Sequence, residues 1–159
     1  MMATALLLLG ATWYLVWREV RPGPELAAVQ RPSFEGRGHV SGASYASSTP
    51  TSGAHDSRAP SCGVYATPLQ PSLAVHALEH GTVVLWCDAA QPELAGALAD
   101  VANEFSSHVI VSPSLGLDQP VVATAWNRLK AYPDAVAEVQ EFVETYRRRG
   151  PENVTCDQA

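Results

Sequence analysis

Two histidines stand four residues apart in "VHALEHG" (residues 75–81), with Glu79 directly before the second. Residues four apart share one side of a helix and of a strand, so His76 and His80 face a common point in either conformation. Upstream, "TSGAH" brings His55 on a glycine-containing turn and "GRGH" brings His39. Three or four imidazoles converging from such segments would suit zinc, copper, iron or nickel. The order "HALEH" is not the HExxH of zinc proteases, because the glutamate stands in a different relation to both histidines. On a helix, Glu79 would point well away from the face shared by His76 and His80. That suits a supporting partner to another group better than a base acting on metal-bound water. On spacing alone, the plainer reading is that these histidines donate to buried carbonyls and tie a loop to a sheet.

Nucleophilic chemistry is the other option the residue types raise. Ser52 lies three residues before His55, and Cys62 precedes Gly63; a hydroxyl or thiol beside a histidine can form a hydrolase pair. Both sit in ordinary turn compositions, however, and neither a GxSxG elbow nor a phosphate-cradling glycine loop occurs. No catalytic residue is assigned. His108 begins an apolar run without a companion and reads as structural or exposed. Trp86 and Trp126 each close an apolar strand and read as core; Tyr45 and Tyr65 flank the histidine-bearing stretch and could pack over it.

The elements that must position these residues follow from periodicity. "TVVLWC" (82–87) is β-branched and aromatic and predicts a buried strand. "QPELAGALADVANEF" predicts a helix opened by Pro92, with Leu94, Leu98, Val101 and Phe105 on one face. "HVIVS" predicts a second strand ended by Pro113, and "PVVATAW" a third, with "RLKAY" continuing it or pairing back on it. "PDAVAEVQEFVETYRRRGP" predicts a final helix, its arginines in the last turn and Gly150–Pro151 as its stop. The expectation is an α/β fold of the α+β type. A small mixed or antiparallel sheet in β-α-β-β-α order follows a long irregular histidine-containing loop.

Net charge is −6 and the only basic cluster is that helix end, which excludes nucleic acid as a partner. Residues 1–17 carry no charged side chain and end in Trp13, Tyr14 and Trp17. They are expected to form an uncleaved transmembrane signal anchor, which makes the membrane itself a partner. The expected organisation is an anchor over 1–17, a linker over 18–33, the α/β domain over 34–152 and a tail over 153–159. Outside the cytoplasm, three cysteines would allow one bridge and leave one thiol over; Cys87 with Cys156 is a conceivable pair.

"GRGHV", "YASSTPTSGAH", "GVY", "VHALEHGTVVLW", "VIVSP", "VVATAW" and "FVETYRRRGPE" occur in the order seen in the DUF3105 family, which the chain resembles over about residues 34–152. This is a domain of unknown function found in bacterial membrane-anchored proteins, and it is similar to part of the animal tumour protein p53-inducible protein 13. The resemblance places the family's histidines on His39, His55, His76 and His80 and its glutamate on Glu79. Thr49 and Ala54 stand where the family has prolines, and its pattern attaches no general role to Cys62 or Cys87. A histidine set spread over three segments implies one shared site. The expected function is an extracytoplasmic, membrane-anchored domain that binds a transition metal, copper or zinc, through His55, His76, His80 and His39. An assembly module clasped by its histidines and a metal-dependent hydrolase are the alternatives.

Overall fold

The structure is a computed structural model that describes residues 25–133, 136–152 and 154–156. The expected membrane anchor over 1–17 lies outside the described residues, and among them no helix is long and apolar enough to cross a membrane.

A five-stranded sheet organises the domain. Its strands are β1 (Gly63–Val64), β2 (Val83–Asp88), β3 (Val109–Ser114), β4 (Val121–Ala125) and β5 (Arg128–Tyr132), in spatial order β1-β3-β2-β4-β5. β1, β2 and β3 are mutually parallel, while β4 and β5 run antiparallel as a hairpin set on β2. The mixed sheet expected from the sequence is therefore present. Three helices cover it: α1 (Pro71–Glu79), α2 (Pro92–Asn103) and α3 (Val139–Tyr146).

Strand alternation divides the core into two layers. Val83, Leu85 and Cys87 of β2 join Val109, Val111, Val121, Ala123 and Tyr132 beneath α2 and α3, which contribute Leu98, Phe142 and Val143. Val84 and Trp86 point the other way, joining Ile110 and Val122 beneath Ala74, Ala77 and Leu78 of α1. The chain crosses the sheet in opposite senses from β1 to β2 and from β2 to β3. Parallel crossovers keep one hand, so the two connecting helices must lie on opposite faces, as α1 and α2 do. Trp86 Nε1 donates to Thr124 Oγ1 at 2.9 Å, which satisfies the one polar atom its burial encloses.

Several boundaries differ from expectation. α1 and the two-residue β1 were not foreseen: β1 lies in the stretch read as irregular loop, and the conformation of the segment bearing His76 and His80 was open between helix and strand. β3 runs through Pro113 to Ser114, with Pro113 opposite Cys87. "RLKAY" pairs back on β4 rather than extending it. α3 stops at Tyr146, so the arginine run lies beyond the helix instead of in its last turn. Arg147 is extended and its guanidinium lies 5.0 Å from the Phe105 ring centre, while Arg148 takes a positive φ of 63° and donates its N–H to Gly81 O. These residues wrap a turn rather than complement a dipole.

The disulfide joins Cys62 to Cys156, not Cys87 to Cys156, and Cys87 is a buried free thiol. The two sheet faces explain this: Cys62 and Cys156 belong to the α1 face, whereas Cys87 points into the opposite layer. At the far edge, Gln30 forms a two-way backbone bridge with Leu129 of β5, and Leu26 and Val29 pack on the core.

Candidate metal centre

α1 ends just before β2 begins; its final turn carries His76 and Glu79, and His80 is its C-cap. Pro71 at the first helical position and the run "SLAVHALE" favour helix locally; Ala74, Ala77 and Leu78 then hold one face on the sheet. His76 and Glu79 are buried on the adjoining face at 5% and 3% exposure. Residues three apart on a helix are neighbours, and this is why Glu79 stays beside His76 instead of turning away as expected.

Two further segments arrive over this turn. His39 and His55 form a parallel bridge in which Val40 N–H donates to His55 O at 2.8 Å and His55 N–H to Gly38 O at 2.9 Å. The hydroxyl of Tyr45 donates to the Ala54 carbonyl, and burial next to Glu35 pushes that phenol up to about 12, so it stays a donor. Ser52 Oγ accepts from Glu35 N–H at 3.0 Å. Its hydroxyl therefore serves the loop, and the bridge to Cys156 removes Cys62 as a thiol nucleophile.

The result is one cluster. His39, His55, His76 and Glu79 each present a ligand atom, all within 4.8 Å of one another. The ring centres of His39, His55 and His76 form a near-equilateral triangle of 5.2, 4.9 and 5.0 Å. His80 stands one step outward, its ring 4.5 Å from that of His76 and its Nε2 3.1 Å from His76 Nε2. His108 is elsewhere: it is buried beside the C-terminal segment, with Nε2 3.2 Å from the Val154 carbonyl.

Tautomers follow from the backbone. His55 Nδ1 lies 2.8 Å from Gly53 O and His76 Nδ1 2.8 Å from Asp56 O. A carbonyl can only accept, so both Nδ1 atoms carry a proton, and in the neutral ring it is Nε2 that offers the lone pair. This is the arrangement in which a metal-ligating histidine is held by its other nitrogen. Burial first, and then the proximity of His80, holds the His76 imidazole below its usual value and hence neutral. His55 is fully buried; its Nε2 lies 3.0 Å from Glu79 Oε2 but without hydrogen-bond alignment, so this nitrogen has no hydrogen-bond partner. A lone pair facing a carboxylate oxygen is repulsive unless a proton or a cation lies between them.

Two residues not singled out in the sequence complete the surroundings. Arg37 Nε lies 3.1 Å from Glu79 Oε1, and its Nη2 3.5 Å from Glu152 Oε1. Glu152 Oε2 in turn lies 3.5 Å from His80 Nε2. Arg37 was discoverable, since it sits two residues before His39 and an extended chain puts such residues on one side. Glu152 arrives because the C-terminal segment lies on the helix end: Glu152 N–H donates to Glu79 O at 3.0 Å. The carbonyl end of α1 carries partial negative charge, which adds to Glu79 in favouring a cation. A wide cleft lined by Ser48, Leu117, Asp118, Val122, Leu129 and Ala131 contains no member of the cluster.

An α/β domain with a cluster of three imidazoles and a carboxylate, buried but for the exposed His39 and geometrically able to hold a metal ion, is the class of protein this fold and site define. The chain belongs to the DUF3105 family, described as proteins of unknown function, whose model matches residues 39–158. Neither a curated protein nor a solved structure matches it.

Proposed function

We propose that this domain binds a transition metal ion, copper or zinc, through His39, His55 and His76 with Glu79 as fourth donor and His80 adjoining, in a handling or storage role. The observation that carries the reading is the ring triangle. Three imidazoles on one tetrahedral ion, with metal–nitrogen bonds of about 2.0–2.1 Å, have ring centres roughly 5 Å apart. The triangle here measures 4.9 to 5.2 Å. The unpartnered, fully buried Nε2 of His55 beside the Glu79 carboxylate supports it further, because a cation between them turns repulsion into two bonds. We place the domain outside the cytoplasm, tethered to the membrane by residues 1–17; the Cys62–Cys156 bridge is consistent with an oxidising compartment.

Metal content after anaerobic loading with copper and zinc, followed by desalting, tests this. Wild-type protein should retain about one ion per chain, and His55→Ala/His76→Ala none. Equal, near-zero content in both would sink the proposal. A second reading rests on the two Nδ1 bonds to Gly53 O and Asp56 O, which by themselves clasp the loop to α1. Under that reading the double substitution lowers the melting temperature, while chelator and added metal leave that of the wild type unchanged.

A further inference from the structure

Arg37 is about half exposed, yet its Nε lies 3.1 Å from Oε1 of the buried Glu79 side chain. The other oxygen, Oε2, faces His55 Nε2 at 3.0 Å. The carboxylate is thus divided between two tasks, one oxygen held by a guanidinium and one turned into the histidine cluster. Arg37 is fixed in place by a second ion pair, to Glu152 at 3.5 Å, and by the bridge that carries His39 two residues later.

Resting on the metal reading above, we propose that Arg37 is a specificity-determining residue that makes the centre discriminate against hard, oxygen-preferring divalent cations. Two physical effects act together. With Oε1 occupied, Glu79 can offer a cation one oxygen only; the two-oxygen grip that larger hard cations use is blocked. The fixed guanidinium charge also draws on the carboxylate's negative charge. A hard cation such as Mn²⁺ depends on that charge for most of its attraction, and so loses most. An ion with strong affinity for imidazole, such as Zn²⁺, keeps its three nitrogen donors and loses little. The structure assigns selectivity to a side chain that need not touch the metal.

The test is the ratio of Zn²⁺ to Mn²⁺ affinity, measured by competition with a chromophoric chelator for wild type, Arg37→Gln and Arg37→Lys. Removing one charged partner of a metal ligand changes affinity by about tenfold or more. The ratio should therefore fall about tenfold in Arg37→Gln, mainly through tighter Mn²⁺ binding, and Arg37→Lys should restore most of it by keeping the charge. Equal shifts of both affinities in Arg37→Gln would show a structural role and overturn the proposal, as would an unchanged ratio. If wild-type protein binds neither zinc nor copper, the metal reading itself fails; if it binds either and its preference for that ion over Mn²⁺ is indifferent to Arg37, that reading stands and this inference alone falls.

Discussion

Nε2 of His76 and Nε2 of His80 face each other at 3.1 Å, one turn apart on α1. Because His76 donates through Nδ1 to Asp56 O, its Nε2 can only accept, and His80 must supply the proton between them. The pair is therefore polarised: a lone pair on the buried ring, an N–H on the outer one.

That asymmetry is visible to nitrogen NMR. In metal-free protein at neutral pH, His76 should show a protonated Nδ1 and an unprotonated Nε2, with His80 protonated at Nε2. Loading with Zn²⁺ should move the His76 Nε2 resonance most. A His76 ring protonated at Nε2 in the metal-free protein would contradict the assignment.

Gly150 is required where the C-terminal segment crosses the end of α1. A Cβ there would stand 2.1 Å from Glu79 O and 2.3 Å from Gly81 N, backbone atoms that cannot swing aside. Gly150→Ala should cost about 1–3 kcal/mol, the usual scale of overpacking. It should also weaken metal binding by displacing Glu79 and Glu152. Urea unfolding gives the first quantity and chelator competition the second. A neutral substitution would mean the segment docks less tightly than the contacts indicate.

The Cys62–Cys156 bridge spans a sequence separation of 94. Closing so long a loop restricts the unfolded chain strongly, and its removal by Cys156→Ser should cost about 2–5 kcal/mol. The thiol of Cys87, pushed up chiefly by burial, should stay unreactive towards a thiol reagent until the domain unfolds. Rapid labelling of native wild-type protein would refute its buried placement.

Acid should weaken the fold through His108. Burial is the main cause holding its pKa below the usual histidine value, with Arg148, Arg147 and His80 adding to it against the opposing bond to Val154 O. The neutral ring is thus favoured in the folded state. Stability from this group is present above the unfolded pKa of about 6.5 and is lost as pH falls below it towards the folded value. Asparagine tolerates the positive φ of 63° at this position, so His108→Asn should fold and show a shallower loss between about pH 7 and pH 5. Identical pH slopes in urea unfolding of the two proteins would remove His108 as a source.

β2, β3 and β4 were legible because each is a short apolar run, and α2 because Leu94, Leu98 and Val101 repeat at helical spacing. α1 was not, since "PSLAVHALE" is brief and the spacing of its histidine from His80 suits helix and strand alike. The pairing of "RLKAY" and the passage of β3 through Pro113 depend on neighbours that a linear pattern does not contain. The arginine run misled because three basic residues after an amphipathic stretch are ordinary helix-end chemistry; here Arg148 instead takes a left-handed turn and its N–H donates to Gly81 O.

By itself the sequence determined the alternating core residues, the family to which the chain belongs, and the four histidines to be considered together. These depend on residue type and on periods of two to four residues, which local sterics impose. Tertiary structure alone decided that His55 meets His76, that Glu79 turns its carboxylate towards them, that Arg37 holds its other oxygen, and that Cys62 rather than Cys87 takes Cys156. Those contacts join segments far apart in the chain, and their geometry is set by which sheet face each segment packs against, a property of the folded layers and not of any local run of residues.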